Sequence, residues 1–240
     1  HTSMTMRAYD VPVQEREFEL SPDFSIASLD DDRMKQRTLS KAQRAGLSQE
    51  DYIAMLGKVW DRRSEVPNKI SEVARMASAV EAPMLSHDDT RADTRGYFRN
   101  LGASVAEFPM VMEAVEAARK HGDLIILGAP NAARGGSHIG SIGAADMVEA
   151  GLCDALASDY FYPAMLAAID RLDREKRADR ATLWSLLSSG PARAMRLNDR
   201  GRITIGSRAD LVLVDWTKGQ APVIEGTWIA GRAAYSIQTQ

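Results

Sequence analysis

Pro83-Met84-Leu85-Ser86-His87-Asp88-Asp89-Thr90 is a short apolar run that breaks off into an imidazole and two carboxylates. The same grammar recurs downstream. Ser104-Val105-Ala106-Glu107-Phe108 closes on an acid, Leu124-Ile125-Ile126-Leu127 opens into Gly128-Ala129-Pro130-Asn131, and Cys153-Asp154-Ala155-Leu156-Ala157-Ser158 runs into Asp159-Tyr160. Apolar runs this short, each ended by polar or turn-forming residues, read as buried strands. Helical stretches separate them: one reaching Leu101, one from Met110, and one from about Ile142 to Ala150. The second ends in Arg119-Lys120-His121-Gly122, cations for the helix dipole followed by a C-capping glycine. Strand and helix in alternation predict an α/β fold with a parallel sheet.

Upstream, Met4-Thr5-Met6-Arg7-Ala8-Tyr9 alternates loosely, and Phe24-Ser25-Ile26-Ala27-Ser28-Leu29 ends in Asp30-Asp31-Asp32. Ser48 is placed to cap a helix, with Asp51 three residues on and an apolar stripe of Tyr52, Ile53, Met55, Leu56 and Val59. Pro67 interrupts, and a second helix runs from about Lys69 to Val80. Six strands result. That is too few for a closed eight-stranded barrel and enough for an open sheet, and both place active sites after the strands. Past Pro163 the texture changes to helices over 164–172 and 182–188 and a short one at Gly190-Pro191. From Gly201 only short strands remain: Arg202-Ile203-Thr204-Ile205, 210–216 and 227–230. The chain therefore divides into a (β/α) portion over 1–190 and part of a small β-subdomain over 191–240.

The 240 residues are enough for a substantial core; 45% hydrophobic and 26% charged residues exclude disorder. Thirty basic against 33 acidic side chains give a net charge of −3, no global field for gathering nucleic acid or an anionic membrane. Cys153 is the sole cysteine, which excludes an intramolecular disulfide and favours a cytoplasmic setting. No apolar run has the roughly 18 residues of a transmembrane helix, and His1-Thr2-Ser3-Met4 lacks the charged-then-apolar layout of a signal peptide.

Imidazole and carboxylate suit zinc and related divalent ions, and carboxylates also serve as bases, which makes Ser86-His87-Asp88-Asp89 a candidate site. A surface loop with an ordinary histidine is the alternative. Asp159 could bind a metal and take a proton from the attacking water; helix N-capping is the alternative there. Asn131-Ala132-Ala133-Arg134-Gly135-Gly136-Ser137-His138 combines exposed backbone N–H groups, a guanidinium and an imidazole, which suit phosphate oxygens. It is neither a Walker loop nor GxGxxG, and a flexible Gly-Gly loop is the plainer reading. Glu107, Asp10 and Asp30-Asp31-Asp32 read as solvated turns or caps, His121 as a helix C-cap, and Cys153 as a small buried hydrophobe.

Taken together, Ser86-His87-Asp88-Asp89, Ala106-Glu107-Phe108-Pro109, Gly128-Ala129-Pro130-Asn131, Arg134-Gly135-Gly136-Ser137-His138 and Ser158-Asp159-Tyr160 resemble the PhnM-type branch of the amidohydrolase superfamily, from bacterial phosphonate breakdown. The tail Gly201-Arg202-Ile203 through Gly206-Ser207-Arg208-Ala209-Asp210-Leu211-Val212 resembles the closing β-strands of amidohydrolases generally. The resemblance implies a TIM-like (β/α)8 barrel with a small β-sandwich, and a divalent metal, zinc ahead of manganese or iron, at the strand C-termini. It also implies hydrolysis of α-D-ribose 1-methylphosphonate 5-triphosphate to the 5-phosphate and pyrophosphate. On that reading the six strands are the third to eighth of the barrel. His87 becomes a metal ligand on the fifth strand, and Asp159, on the eighth, binds metal and orients or deprotonates water. Asp88, Asn131, Arg134 and His138 become substrate contacts, the last two for the triphosphate, and self-association is expected.

The chain also departs from the family pattern. The family's first strand with its histidine motif has no counterpart, and no His-x-His occurs. Asp30-Asp31-Asp32 stands where the fourth strand should end in a histidine, and Tyr9-Asp10 near the acidic position after the third. Two rivals follow: a divergent amidohydrolase acting on an amide or cyclic imide, and a non-catalytic binder of small molecules.

Overall fold

A computed structural model describes residues 4–7, 32–62, 65–135, 143–217 and 219–237 of the chain. Five parallel strands, β1 (Met4–Arg7), β2 (Met84–His87), β3 (Val105–Glu107), β4 (Leu124–Gly128) and β5 (Ala155–Ala157), lie in chain order in one sheet. Phe24–Leu29, expected as a sixth strand, lies outside the described residues. β1 bonds directly to β2 with Met4 opposite Met84 and Arg7 opposite His87, so the described sheet passes straight from the first run to the fifth-strand candidate.

From β2 to β5 both faces of the sheet are buried, as crossover helices require. Leu85, Val105, Ile126 and Ala155 form a row on one face and share a cluster with Ala194. The alternate residues Ala106, Ile125, Leu127 and Leu156 pack on the other face against Val115, Ala118, Ile169 and Leu172. This period of two settles which way the polar strand ends point, because His87 and Glu107 lie two residues beyond Leu85 and Val105 on the same face.

Three helices, α1 (Asp32–Ala45), α2 (Gln49–Asp61) and α3 (Val66–Ala79), precede β2. The expected Ser48 cap forms: the Asp51 amide donates to Ser48 Oγ at 3.0 Å, and that hydroxyl donates to the Asp51 carboxylate at 2.6 Å. Pro67 does not interrupt a helix but sits in the first turn of α3, where its missing N–H costs nothing. The helices α4 (Ala92–Asn100) and α5 (Met112–Lys120) then follow β2 and β3, and α6 (Ala129–Arg134) and α7 (Ala144–Glu149) together join β4 to β5. Residues 129–134, read as loop, are thus helical.

After β5 come α8 (Ala164–Arg174), α9 (Arg180–Ser185) and α10 (Ser189–Ala194). The Leu156 amide donates to Leu186 O at 2.9 Å, so the stretch before α10 covers the edge of β5. Gly190 is required there, since a Cβ at that position would lie 1.9 Å from the Asp154 carbonyl oxygen. α10 straddles residues 190 and 191, and its Ala194 caps the inner row of the large sheet.

A separate antiparallel sheet follows: β6 (Leu211–Asp215), β7 (Val223–Ile229) and β8 (Arg232–Ser236). The strand expected over 202–205 is absent, and Ile203 and Ile205 are fully exposed; β8 was not foreseen. Arg180 anchors this region, its guanidinium 4.6 Å from the Trp216 ring centroid and its Nη1 donating to Trp216 O at 2.7 Å. Asp210 accepts the Ala230 amide at 2.8 Å while pairing with Arg200 and Arg208, each at 2.9 Å. The carboxylate in the Gly206–Leu211 motif is therefore a brace for the β7–β8 turn.

Candidate active site

In a parallel sheet every strand exits at the same edge, so the polar groups that close the runs are gathered there by topology alone. Register pairs His87 with Glu107 across β2 and β3. The ladder continues past the strands, with the Asp88 amide donating to Glu107 O at 3.0 Å and the Phe108 amide to Ile126 O at 2.9 Å. His87 Nδ1 stands 3.0 Å from Asp88 Oδ1, and Nε2 stands 4.0 Å from Glu107 Oε2. The Phe108 ring meets the imidazole edge to face, centroids 5.2 Å apart. All three polar side chains are partly buried. The imidazole thus lies between two carboxylates and against an aromatic wall. Glu107, which the sequence presented as a solvated turn, belongs to the site; only the register of two parallel strands could show it.

Asp88, Phe108 and Asp159 each follow a strand end with φ of 60°, 53° and 51°. Left-handed backbone in residues other than glycine is strained and concentrates at functional sites. Among the described residues these three lie at the exits of β2, β3 and β5, the same edge as the candidate residues, while Glu81, Lys176, Arg196 and Ala230 share the conformation in turns elsewhere.

Behind His87 the sheet turns its other face. Ser86 Oγ donates to Asp89 Oδ2 at 2.5 Å, and Arg95 of α4 donates to Ser86 Oγ. Arg95 also reaches Asp89 at 3.4 Å, Val105 O at 3.2 Å, Ala103 O, and Asp123 at 3.3 Å. Arg99 closes the chain on Asp123. Arg95, Asp89 and Asp123 are each 1% exposed. Burial pushes the Asp89 carboxyl above its usual range, and the Ser86 hydroxyl and Arg95 guanidinium oppose that shift. Nothing in Ala92-Asp93-Thr94-Arg95 distinguishes this arginine from a surface one; its partners are distant in sequence.

The remaining candidates sit further along the same edge. Asn131 is on α6, directly after β4, and is half-buried; Arg134 ends that helix and donates to the Tyr160 hydroxyl at 3.0 Å. Asp159, two residues past β5, is exposed next to that tyrosine. His138 lies outside the described residues.

The chemistry of His87, Asp88 and Glu107 fits a divalent cation of borderline hardness. Among the described residues, however, no three His, Cys, Asp or Glu side chains are grouped so that they could hold a metal ion. His87 therefore fits as one donor of a metal site rather than as the centre of a complete one. No helix among the described residues is long and apolar enough to cross a membrane.

The chain matches the amidohydrolase family over residues 66–235. It is 36% identical over 189 residues to the α-D-ribose 1-methylphosphonate 5-triphosphate diphosphatase of Escherichia coli strain K12, covering 78% of this chain and 48% of that enzyme. Among solved structures it resembles the L-hydantoinase (dihydropyrimidinase) of Arthrobacter aurescens, with a TM-score of 0.54 and 14% identity over 71% of this chain and 60% of the other. The D-hydantoinase (dihydropyrimidinase) of Thermus sp. gives 0.51 and 13% over 70% and 60%. These two likenesses establish the fold: the five-stranded sheet is a segment of a (β/α) TIM barrel. The chain spans about half the length of its curated relative. The family match over more than half of its length carries the conclusion that this chain belongs to the amidohydrolase family.

Proposed function

We propose that the protein is a metal-dependent hydrolase that cleaves α-D-ribose 1-methylphosphonate 5-triphosphate to the 5-phosphate and pyrophosphate. The observation that carries this reading is the 36% identity to a diphosphatase of that name. Its support in the structure is His87 between two carboxylates at the exit edge of a parallel sheet. The barrel portion is taken to span 1–190 and the small β-subdomain 191–240.

His87 and Asp159 would hold the metal, zinc ahead of manganese or iron. When bound, such an ion polarises a phosphoryl oxygen and lowers the pKa of water. Asp88 and Glu107 hold the His87 ring in orientation from either side, and Phe108 limits its rotation. Asp159 takes the proton of the water that attacks the α-phosphorus, whose bond to the bridging oxygen breaks as pyrophosphate leaves. Arg134 and His138 hold the triphosphate and offset charge growing on the leaving group, with Asp88 and Asn131 contacting the sugar side. The substrate is small and phosphorylated; nucleic acid and membrane are not partners, the setting is cytoplasmic, and a homo-oligomer is expected.

The test is a pyrophosphate-release assay on purified protein after metal analysis by elemental mass spectrometry. Bound transition metal lost in His87→Ala, together with pyrophosphate release abolished by that change, is expected. Turnover unchanged in His87→Ala overturns the site. Bound metal with hydrolysis only of amides or cyclic imides overturns the substrate, and ligand binding without metal or turnover overturns the enzyme.

A further inference from the structure

Ser86 and His87 are adjacent on β2 and must project from opposite faces of the sheet. His87 faces the inner, catalytic side; Ser86 faces α4 and enters a fully buried set of charges. The chain then turns through Asp88 in left-handed backbone and returns in Asp89, whose carboxylate goes back to Ser86 and Arg95 on the outer side. The four residues 86–89 therefore straddle the sheet edge like a clip, with the two outer legs pinned to one guanidinium.

We propose that Arg95 is a positioning residue that holds the His87-Asp88 pair in place from the far side of the sheet. This rests on the reading of His87 as a functional group given above. Arg95 is suited to the task because its planar fork reaches three separate strand segments at once. It meets the β2 exit through Ser86 and Asp89, β3 and its approach through Val105 O and Ala103 O, and the start of β4 through Asp123. His87 and Glu107 are contributed by two of these strands, so fixing their offset fixes the 4.0 Å approach of the ring to Glu107. The Asp89 carbonyl adds a further tie, accepting the Met110 amide at 2.9 Å. A lysine keeps the charge but presents a single ammonium that cannot span those acceptors. Outer groups of this kind orient a site histidine without touching substrate, and their loss weakens metal affinity about 10- to 100-fold.

A merely structural ion network predicts that any cut in it acts alike, and Arg99 provides that cut. It joins the network only through Asp123, at the end remote from His87. The experiment compares Arg95→Lys with Arg99→Ala by the imidazole NMR resonances of His87, assigned among the four histidines with a His87→Gln variant. Zinc titration of each protein with the metal alone runs alongside. Arg95→Lys is expected to shift and broaden the His87 resonances and to weaken zinc binding at least tenfold, whereas Arg99→Ala lowers stability and leaves both unchanged. Should Arg95→Lys fail to fold, Ser86→Ala takes its place, with the same direction and a smaller shift. His87 resonances unmoved in the folded Arg95→Lys or Ser86→Ala protein, or moved equally by Arg99→Ala, overturn the proposal. Displaced His87 resonances in a protein whose unsubstituted form takes up no zinc support the positioning role and overturn the metal reading alone.

Discussion

The two halves of the parallel sheet are held by different physics. Around β4 and β5, beyond Asp123 at the start of β4, the outer face is packed with apolar side chains, Ile125, Leu127, Leu156, Ile169 and Leu172 forming one buried cluster. Around β2 and β3 the outer face instead carries Ser86, Asp89, Arg95 and Asp123, all essentially inaccessible to solvent. Apolar packing tolerates swaps that conserve volume, usually for less than about 1.5 kcal/mol, because its contacts are not directional. A buried guanidinium is not, because each of its acceptors must be where the fork points or remain unpaired. The rigid half is the one that carries His87. A buried ion network contributes little net stability over apolar side chains of similar volume, and its use here is consistent with geometry being what that half must preserve.

The difference can be broken most forcefully at Arg95. Arg95→Met should cost about 3–5 kcal/mol, because Asp89 and Asp123 are left buried with their main counter-charge gone. Urea unfolding measures it, and a cost near zero would mean that the sheet relaxes around the lost charge and that the network does not hold this half in place. On the apolar half, Ile125→Ala should cost about 2–5 kcal/mol through transfer and cavity terms. That loss should leave the His87 resonances where they were; a displaced His87 would show that the two halves are mechanically one.

The strands and helices that carry this contrast were largely legible in the sequence, whereas the contrast itself was not. The strand ends at His87, Glu107 and Ala157 and the Ser48 cap were readable because each is decided by residues within a few positions of one another. A glycine turn was read beside 227–230, but the returning strand β8 was not, because Arg232-Ala233-Ala234-Tyr235-Ser236 carries no apolar–polar alternation. Arg95 escaped because its partners lie up to Asp123, on another element, and a basic residue in a short helix reads as solvated. Glu107 escaped likewise: its place beside His87 follows from parallel register, which no local pattern encodes. The alternation read for strands also failed at 202–205, where Ile203 and Ile205 face solvent and find no neighbouring strand.

Cys153, beside β5 on the apolar half, reports the tightness of that packing. Burial pushes its thiol up to about 12. The native state therefore keeps its proton between the ordinary cysteine value and 12, while the unfolded chain loses it, and stability must fall as pH rises through that interval. The slope attributable to this one group is at most about 1.4 kcal/mol per pH unit. Cys153→Ala should remove that component from the pH dependence of urea unfolding above pH 9. The native thiol should also resist alkylation until the chain unfolds; rapid native alkylation would place Cys153 in a looser half than the one described.

The smallest effect distinguishes the two kinds of strand exit. Asp88 and Asp159 share left-handed backbone, but Asp88 is held at 3.0 Å to His87 whereas Asp159 is exposed. Glycine removes the Cβ conflict at either position. At Asp159 nothing in the packing offsets that relief, and Asp159→Gly should gain about 0.5–1 kcal/mol of stability, with loss of pyrophosphate release as the added expectation of the proposed function. At Asp88 the same relief is offset by the lost contact to His87, so Asp88→Gly should gain less. Equal gains at both positions would mean that the Asp88 carboxylate does not stabilise the exit of β2, and that its conformation is set by the backbone ladder and Arg95 alone.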